Sequence, residues 1–342
     1  MRRKMLACSL LSVTAILLLL AGLLTWWNTN FLGDQRFCGK VFSSSEIDEA
    51  LEGAGRLEQR LSYERKSYIF HCQVEQSSKF IDSPDSGVEV ATRFMAADDP
   101  FLTRVWQHRG RMAFALSGLP GGATERQAWI LVPSFCWKKI PAKPDFVPFV
   151  TARVQGQSAR PEALFRLARR GVQRIMKNVG CSSADLSREK ISDLTSEDLH
   201  STEIDNVCRK PGFTLPDSAL FPGSAEPGRE RVTHPRSSTV WSCDLYLQSK
   251  KQPSLTFFSS SDENIVAAMK RQGISPAWDH GEVVRCEQGD FYVSLFAHDP
   301  YRDLYDREHR KKARDVAVTT KKILNSLARA EARAQSWTGC SF

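Results

Sequence analysis

Ser67-Tyr68-Ile69-Phe70-His71-Cys72-Gln73-Val74 and Ser238-Thr239-Val240-Trp241-Ser242-Cys243-Asp244-Leu245 align without a gap. Each is a β-branched and aromatic run around one cysteine, and each reads as a strand. The chain repeats itself around these two runs. Upstream, Cys38 is followed by Phe42, and Cys208 by Phe213. Each then opens the Ser/Thr-x-x-acid spacing of a capping box, Ser43 with Glu46 and Thr214 with Asp217. Downstream, Cys136 precedes an apolar run from Phe146 to Val154, and Cys286 precedes one from Phe291 to Ala297. A long amphipathic pattern closes each half and ends in Gly-Cys-Ser, at Gly180-Cys181-Ser182 and Gly339-Cys340-Ser341, with glycine where a left-handed helix cap is wanted. Eight of the nine cysteines therefore fall into two sets of four: Cys38, Cys72, Cys136 and Cys181, then Cys208, Cys243, Cys286 and Cys340.

The ninth, Cys8, lies in an uncharged apolar stretch from Met5 to Trp27 that comes after Arg2, Arg3 and Lys4. At ~1.5 Å per residue such a helix covers roughly the ~30 Å of a bilayer core, which predicts a signal anchor through residues 5–27. The basic residues 1–4 then stay cytoplasmic, and everything after Trp27 lies outside the cell membrane. A cleaved signal peptide competes with this reading. Its apolar core is usually shorter and ends in a small-residue site, whereas this one ends in Trp26 and Trp27.

Outside a membrane, an even set of cysteines reads as a disulfide framework. Spacing alone leaves the pairing open, but equivalent partners in the two halves should pair equivalently. That argument selects Cys38 with Cys72, Cys136 with Cys181, Cys208 with Cys243, and Cys286 with Cys340. Zinc is disfavoured, because the chain has no Cys-x-x-Cys pair.

The predicted fold class is α+β: a single N-terminal transmembrane helix, then two tandem repeats, each an antiparallel sheet covered by a C-terminal helix and stapled by two disulfides. The first repeat covers 28–181, a Ser-rich acidic linker 182–206, and the second repeat 207–342. In the first, a helix is expected over Ser45 to Glu52, with strands near Tyr68 to Val74, Val88 to Met95, Arg111 to Leu116 and Ala128 to Phe135, another after Cys136, and a helix from Pro161 to Val179. In the second, strands are expected near Thr239 to Leu247, Ser254 to Phe258, Val283 to Cys286 and Phe291 to Ala297, with helices from Asp262 to Arg271 and from about Tyr301 to Gln335. Gly118 to Gly122 reads as a turn, since it leads into the strand Trp129-Ile130-Leu131-Val132 and not into the helix a phosphate loop requires.

The formal net charge is +8. Ten Lys or Arg against five Asp or Glu fall between Arg302 and Arg333, so the last helix holds much of the excess. Such a face suits anionic lipid headgroups, an anionic wall polymer or an envelope protein as partner. It also suits a plain solvated surface with pairs such as Glu308 to Lys312. Nucleic acid is not an expected partner, because no recognised nucleic-acid motif is present.

No catalytic, cofactor or metal signature stands out. The only tight groupings of histidine with carboxylates in loop context are Asp279-His280-Gly281-Glu282 and His298-Asp299, which flank the strand pair at Cys286 and make Asp279, His280, Glu282, His298 and Asp299 candidate acid–base residues. Ser259, Ser260 or Ser261 is a conceivable nucleophile, but no Gly-x-Ser-x-Gly turn surrounds them, and before Asp262 they more simply cap a helix. Trp106, Trp129, Trp137, Trp241, Trp278 and Trp337 read as core partners of the cysteines in preference to a sugar platform.

The stretch Cys38-Gly-Lys-Val-Phe-Ser-Ser-Ser-Glu-Ile-Asp-Glu-Ala-Leu51, succeeded by a cysteine in a strand, resembles cell-envelope proteins of actinobacteria, many of them lipoproteins or membrane-anchored. The resemblance implies an envelope location and transfers no functional residue. The reading is therefore a non-enzymatic, membrane-anchored extracytoplasmic binding or scaffolding protein, whose tandem halves suit bivalent contact. The alternative is an envelope hydrolase acting on wall polymer or peptide through His280 and His298.

Overall fold

Apolar residues that alternate on two faces of the strands set the architecture, which a computed structural model describes over residues 2–28, 30, 33–51, 55–64, 67–77, 86–96, 112–115, 121–141, 146–156, 158–181, 191–194, 199–219, 227–233, 239–247, 253–270, 279–308 and 313–342. In parts of these, among them 2–12, 112–115, 191–194, 279–280 and 313–316, the backbone alone is described. After α1 (Arg2–Asn28) come β1 (Arg36–Phe37), β2 (Phe42–Ser43) and α2 (Ser44–Leu51). The strands β3 (Arg56–Glu64), β4 (Phe70–Ser77), β5 (Ser86–Met95), β6 (Met112–Ala115), β7 (Gly121–Ala123), β8 (Gln127–Leu131) and β9 (Val147–Gln155) lead to α3 (Pro161–Asn178) and β10 (Ile191–Leu194). The second half holds β11 (Pro227–Thr233), β12 (Val240–Leu247), β13 (Leu255–Ser260), α4 (Glu263–Met269), β14 (Asp279–Cys286), β15 (Gly289–Ala297), α5 (Asp299–Glu308) and α6 (Ala313–Ala334).

The expected fold class needs correction. Among the described residues no helix is long and apolar enough to cross a membrane. The sheets also number three, of two, eight and five strands. The stretch read as a solvated linker supplies β10, which pairs antiparallel with β6 and extends the eight-stranded sheet; a bridge between His200 and Glu230 then ties the chain to the second half. Gly121 and Gly122, expected in a turn, lie inside β7. A Cβ at Gly121 would stand 2.9 Å from the Trp129 carbonyl oxygen and 3.0 Å from Phe165, so glycine lets β7 approach both β8 and α3. Residues 118–120, the rest of that expected turn, lie outside the described residues. Of the single long helix expected from Tyr301 to Gln335, α5 and α6 are described, and residues 309–312 between them lie outside the described residues.

Within the larger sheet the order β3-β4-β5-β9-β8 matches, strand for strand in chain order, the order β11-β12-β13-β15-β14 of the smaller sheet. Both sheets are antiparallel throughout. α3 packs on β8 and β9, and α6 on β14 and β15. The four disulfides are Cys38–Cys72, Cys136–Cys181, Cys208–Cys243 and Cys286–Cys340, each the pairing expected from the sequence. Loops of this length contribute about 4 kcal/mol each in the chain-entropy account.

Strand periodicity places the core. Ala128 and Ile130 of β8, with Val150 and Ala152 of β9, face α3 and its Leu164, Phe165, Val172 and Ile175. The alternate residues Trp129, Leu131, Val147 and Phe149 face the other way and meet Phe258 of β13, Tyr292 of β15, and Ile265 and Met269 of α4. Both faces of β8 and β9 are thus buried, which explains their unbroken apolar runs. This second cluster joins the halves, reinforced by the Ser134 N–H donating to Asn264 Oδ1 at 2.9 Å. The halves are therefore packed against each other, unlike the tethered pair that bivalent contact envisages.

Candidate binding cleft

The backbone next to each first cysteine is left-handed. Cys38 has φ 52° and Cys208 φ 60°, and Arg209 comes next at 52°. Such conformations strain a residue with a Cβ, and here a disulfide and a side-chain acceptor on a neighbouring strand hold them. The Cys38 N–H donates to Gln59 Oε1 of β3 at 2.6 Å, and the Cys208 N–H donates to Glu230 Oε2 of β11 at 2.7 Å. Burial pushes the Glu230 carboxyl above its usual range, partly offset by the Cys208 N–H bond.

Two residues beyond the cysteine, the halves diverge. Lys40 is exposed in the first half, whereas Lys210 is only 7% exposed and turned inward. Its Nζ donates to Glu331 Oε2 of α6 and sits 4.2 Å from the centre of the Trp241 ring. Glu331 Oε2 also accepts from Ser259 Oγ at 2.9 Å, and Glu331 Oε1 from Gln335 Nε2 at 3.3 Å. These groups line a cleft of about 220 Å³ completed by Arg209, Pro211, Thr239, Val240 and Ala334. Its walls offer a fixed carboxylate, a fixed ammonium, an amide, an indole and an exposed guanidinium, the donors and acceptors that orient a small polar ligand. Ser259 gives its proton to Glu331, and neither histidine nor cysteine lines the cleft.

The first half fills the same place with apolar side chains. Phe70 aligns with Trp241. Both terminal helices end on a left-handed residue, Gly180 at φ 69° and Ser336 at φ 55°, and counting five back from each sets Ile175 opposite Glu331. Phe70 and Ile175 are both buried in the first core. Gly339, expected as the second cap, is left-handed too but lies beyond Ser336, which takes the capping role at the end of α6. One sign of the buried pair is present in the sequence: Leu324, Leu327, Ala328 and Glu331 share the apolar stripe of α6, so a carboxylate there needs a partner.

The residues expected from the sequence to converge do not form a catalytic group. His298 is buried, and its Nε2 shares a hydrogen bond with Thr256 Oγ1 at 2.8 Å; Thr256 donates in turn to Asp244 Oδ1 at 2.6 Å. The His298 ring also stands edge-on to Phe296, 4.8 Å between centres. Asp299 is exposed at the start of α5. Asp279 and His280 lie in β14, not in a loop, opposite Phe296 and Leu295; their side chains are outside the described residues. Glu282 is opposite Val293, and its Oε1 is buried without a hydrogen-bond partner. Of the three serines, Ser259 bonds Glu331, and Ser260 Oγ accepts from the Asp262 N–H. Asp262, not a serine, caps α4 by accepting from the Asn264 and Ile265 N–H groups at 2.8 and 3.2 Å. Trp129, Trp137 and Trp241 are buried as expected of core residues and Trp337 packs against Phe291; Trp106 and Trp278 lie outside the described residues. Among the described residues no cluster of three His, Cys, Asp or Glu side chains is placed to hold a metal ion.

No protein-family model matches the sequence, and no curated protein sequence does. Among solved structures the chain is similar, at 10% identity and a TM-score of 0.13, to the di-domain ARO/CYC protein StfQ of the steffimycin biosynthetic pathway, over 82% of this chain and 89% of that one. A β-barrel-like protein of unknown function from Brucella abortus gives 11% identity and a TM-score of 0.11, over 74% of this chain and 94% of that one. Similarity at this level carries no argument about fold or function.

Proposed function

We propose that the protein is an extracytoplasmic binding module of the cell envelope, with its ligand site in the cleft walled by Lys210, Trp241 and Glu331. Four disulfides suit an oxidising compartment, and the Cys38 to Leu51 stretch supports the envelope. The observation that carries the binding role is the contrast between the halves. Replacing a buried ion pair by apolar residues is often neutral or stabilising, by about 1–4 kcal/mol, and the first half shows that Phe70 and Ile175 fit this frame. A charged pair beside an open cleft, where an apolar pair would hold the fold as well, points to recognition.

Co-sedimentation of the purified full chain with isolated envelope fragments at about 1 M salt, where exposed charges are screened, tests this. Ala334→Trp, at an exposed position on the cleft wall, fills the space without entering the core, and it is expected to abolish sedimentation while leaving the unfolding midpoint unchanged. Undiminished co-sedimentation by that variant would refute the cleft as the site.

A further inference from the structure

Between Ala317 and Ser336, α6 and its end expose Lys321, Lys322, Arg329 and Arg333. The one acid in that span, Glu331, is turned inward and held by Lys210. Among the described residues none of the four cations makes an ion pair. Arg333 Nη2 donates to the Gly212 carbonyl at 3.1 Å, and the Arg329 guanidinium lies 5.8 Å from the centre of the Phe342 ring.

The first turns of the sister helix are paired instead. Arg160, just before α3, and Arg166 both pair with Glu49, and Arg170 Nε lies 3.1 Å from Glu46 Oε1, so the acids of α2 cover these three arginines. Among the described residues the second half has no counterpart of α2 beyond a single 3-10 turn at Asp217–Ala219. The difference leaves a cationic stripe about 18 Å long from Lys321 to Arg333.

We infer that this stripe is a docking surface for a linear polyanion carrying repeated phosphate groups. Lysine ammonium groups beside forked guanidinium groups form the donor set that holds phosphate oxygens. A membrane surface fits less well, because a helix lying in lipid needs its apolar face free, and Ile323, Leu324, Leu327 and Ala328 are all buried against the sheet. The inference rests on the envelope location proposed above but not on the cleft.

The test uses the full chain, long-chain inorganic polyphosphate, and vesicles containing one-third phosphatidylglycerol. Polyphosphate binding is expected to weaken as salt rises. The triple variant Lys321→Gln, Lys322→Gln, Arg329→Gln should lose roughly a hundredfold in affinity or more, at up to about a tenfold step for each cation removed. Arg160→Gln, Arg166→Gln, Arg170→Gln, at the paired arginines, should change it less than threefold or so. Ala334→Trp should bind polyphosphate as the native chain does, which separates this surface from the cleft. Native affinity in the α6 variant, an equal loss in the α3 variant, or binding to vesicles without binding to polyphosphate would each overturn the inference.

Discussion

Ile175 and Glu331 occupy the same place on the same frame, one in each half, and what surrounds them shows how much a sheet-and-helix unit can change without changing its topology. Around Ile175 the first half stays apolar and closed. Around Glu331 the second half admits a lysine, a serine hydroxyl and an open cleft. Neither charge is tolerable there alone, since a buried ion without its partner is strongly destabilising. The left-handed cysteine that opens each half is fixed by its disulfide and by a strand side chain, yet two residues on the chain is left-handed at Lys40 and extended at Lys210.

The most damaging change to this contrast removes one partner. Glu331→Ala should lower stability by about 3–5 kcal/mol in urea unfolding, because Lys210 remains buried and uncompensated. The double variant Lys210→Met, Glu331→Leu, which makes the second half resemble the first, should return within about 1 kcal/mol of the native chain or exceed it. A double variant as weak as the single would show that the pair itself holds the fold. A smaller effect separates the helix starts. The Ser43 N–H donates to Glu46 Oε2 at 2.9 Å and the Glu46 N–H to Ser43 Oγ at 3.3 Å, a closed capping box at α2. Burial acts to raise the Glu46 carboxyl, yet the bonds from Ser43 and Arg170 outweigh it and hold it below its usual range. Ser43→Ala should therefore cost about 1 kcal/mol in the same unfolding assay. Thr214→Ala should cost less, since the Thr214 backbone bonds Ser326 and opens no helix.

The smallest effect is read by pH. Asp244 stands where the first half has Gln73, and burial holds its carboxyl above the usual range against the Thr256 bond and the Arg231 charge. The folded state then keeps this proton longer than the unfolded state, so the contribution of Asp244 is present at low pH and is lost as pH rises from 3.8 through the raised folded value. Asp244→Asn should flatten that decline when melting is followed across the acid range. Native protein gaining on the variant as pH increases would contradict the assignment.

Much of this frame is legible from residues alone. Cysteine order with its flanking strands leads to the sulfur pairing, and Ser43 with Glu46 marks α2. β3 and β11 escape a reading by apolar pattern because Glu58 and Arg60, like Arg229 and Glu230, make them look polar, which is how edge strands discourage unwanted pairing. β10 is hidden in a Ser-rich stretch whose only reason to be extended is the β6 edge beside it. Lys210 and Glu331 are 121 residues apart, so the apolar stripe of α6 shows that Glu331 needs a partner, but nothing local to it names Lys210. The histidine pair fails for a related reason. Proximity to a common strand pair says nothing about partners, and His298 has its own in Thr256.

Among the eight paired cysteines the four cross-links join neighbours along the chain, first with second, third with fourth, and onward without nesting or crossing. Taken in order from Cys38, each cysteine therefore reaches its own partner before the next two follow in the chain, and consecutive oxidation of these eight yields the native set without shuffling.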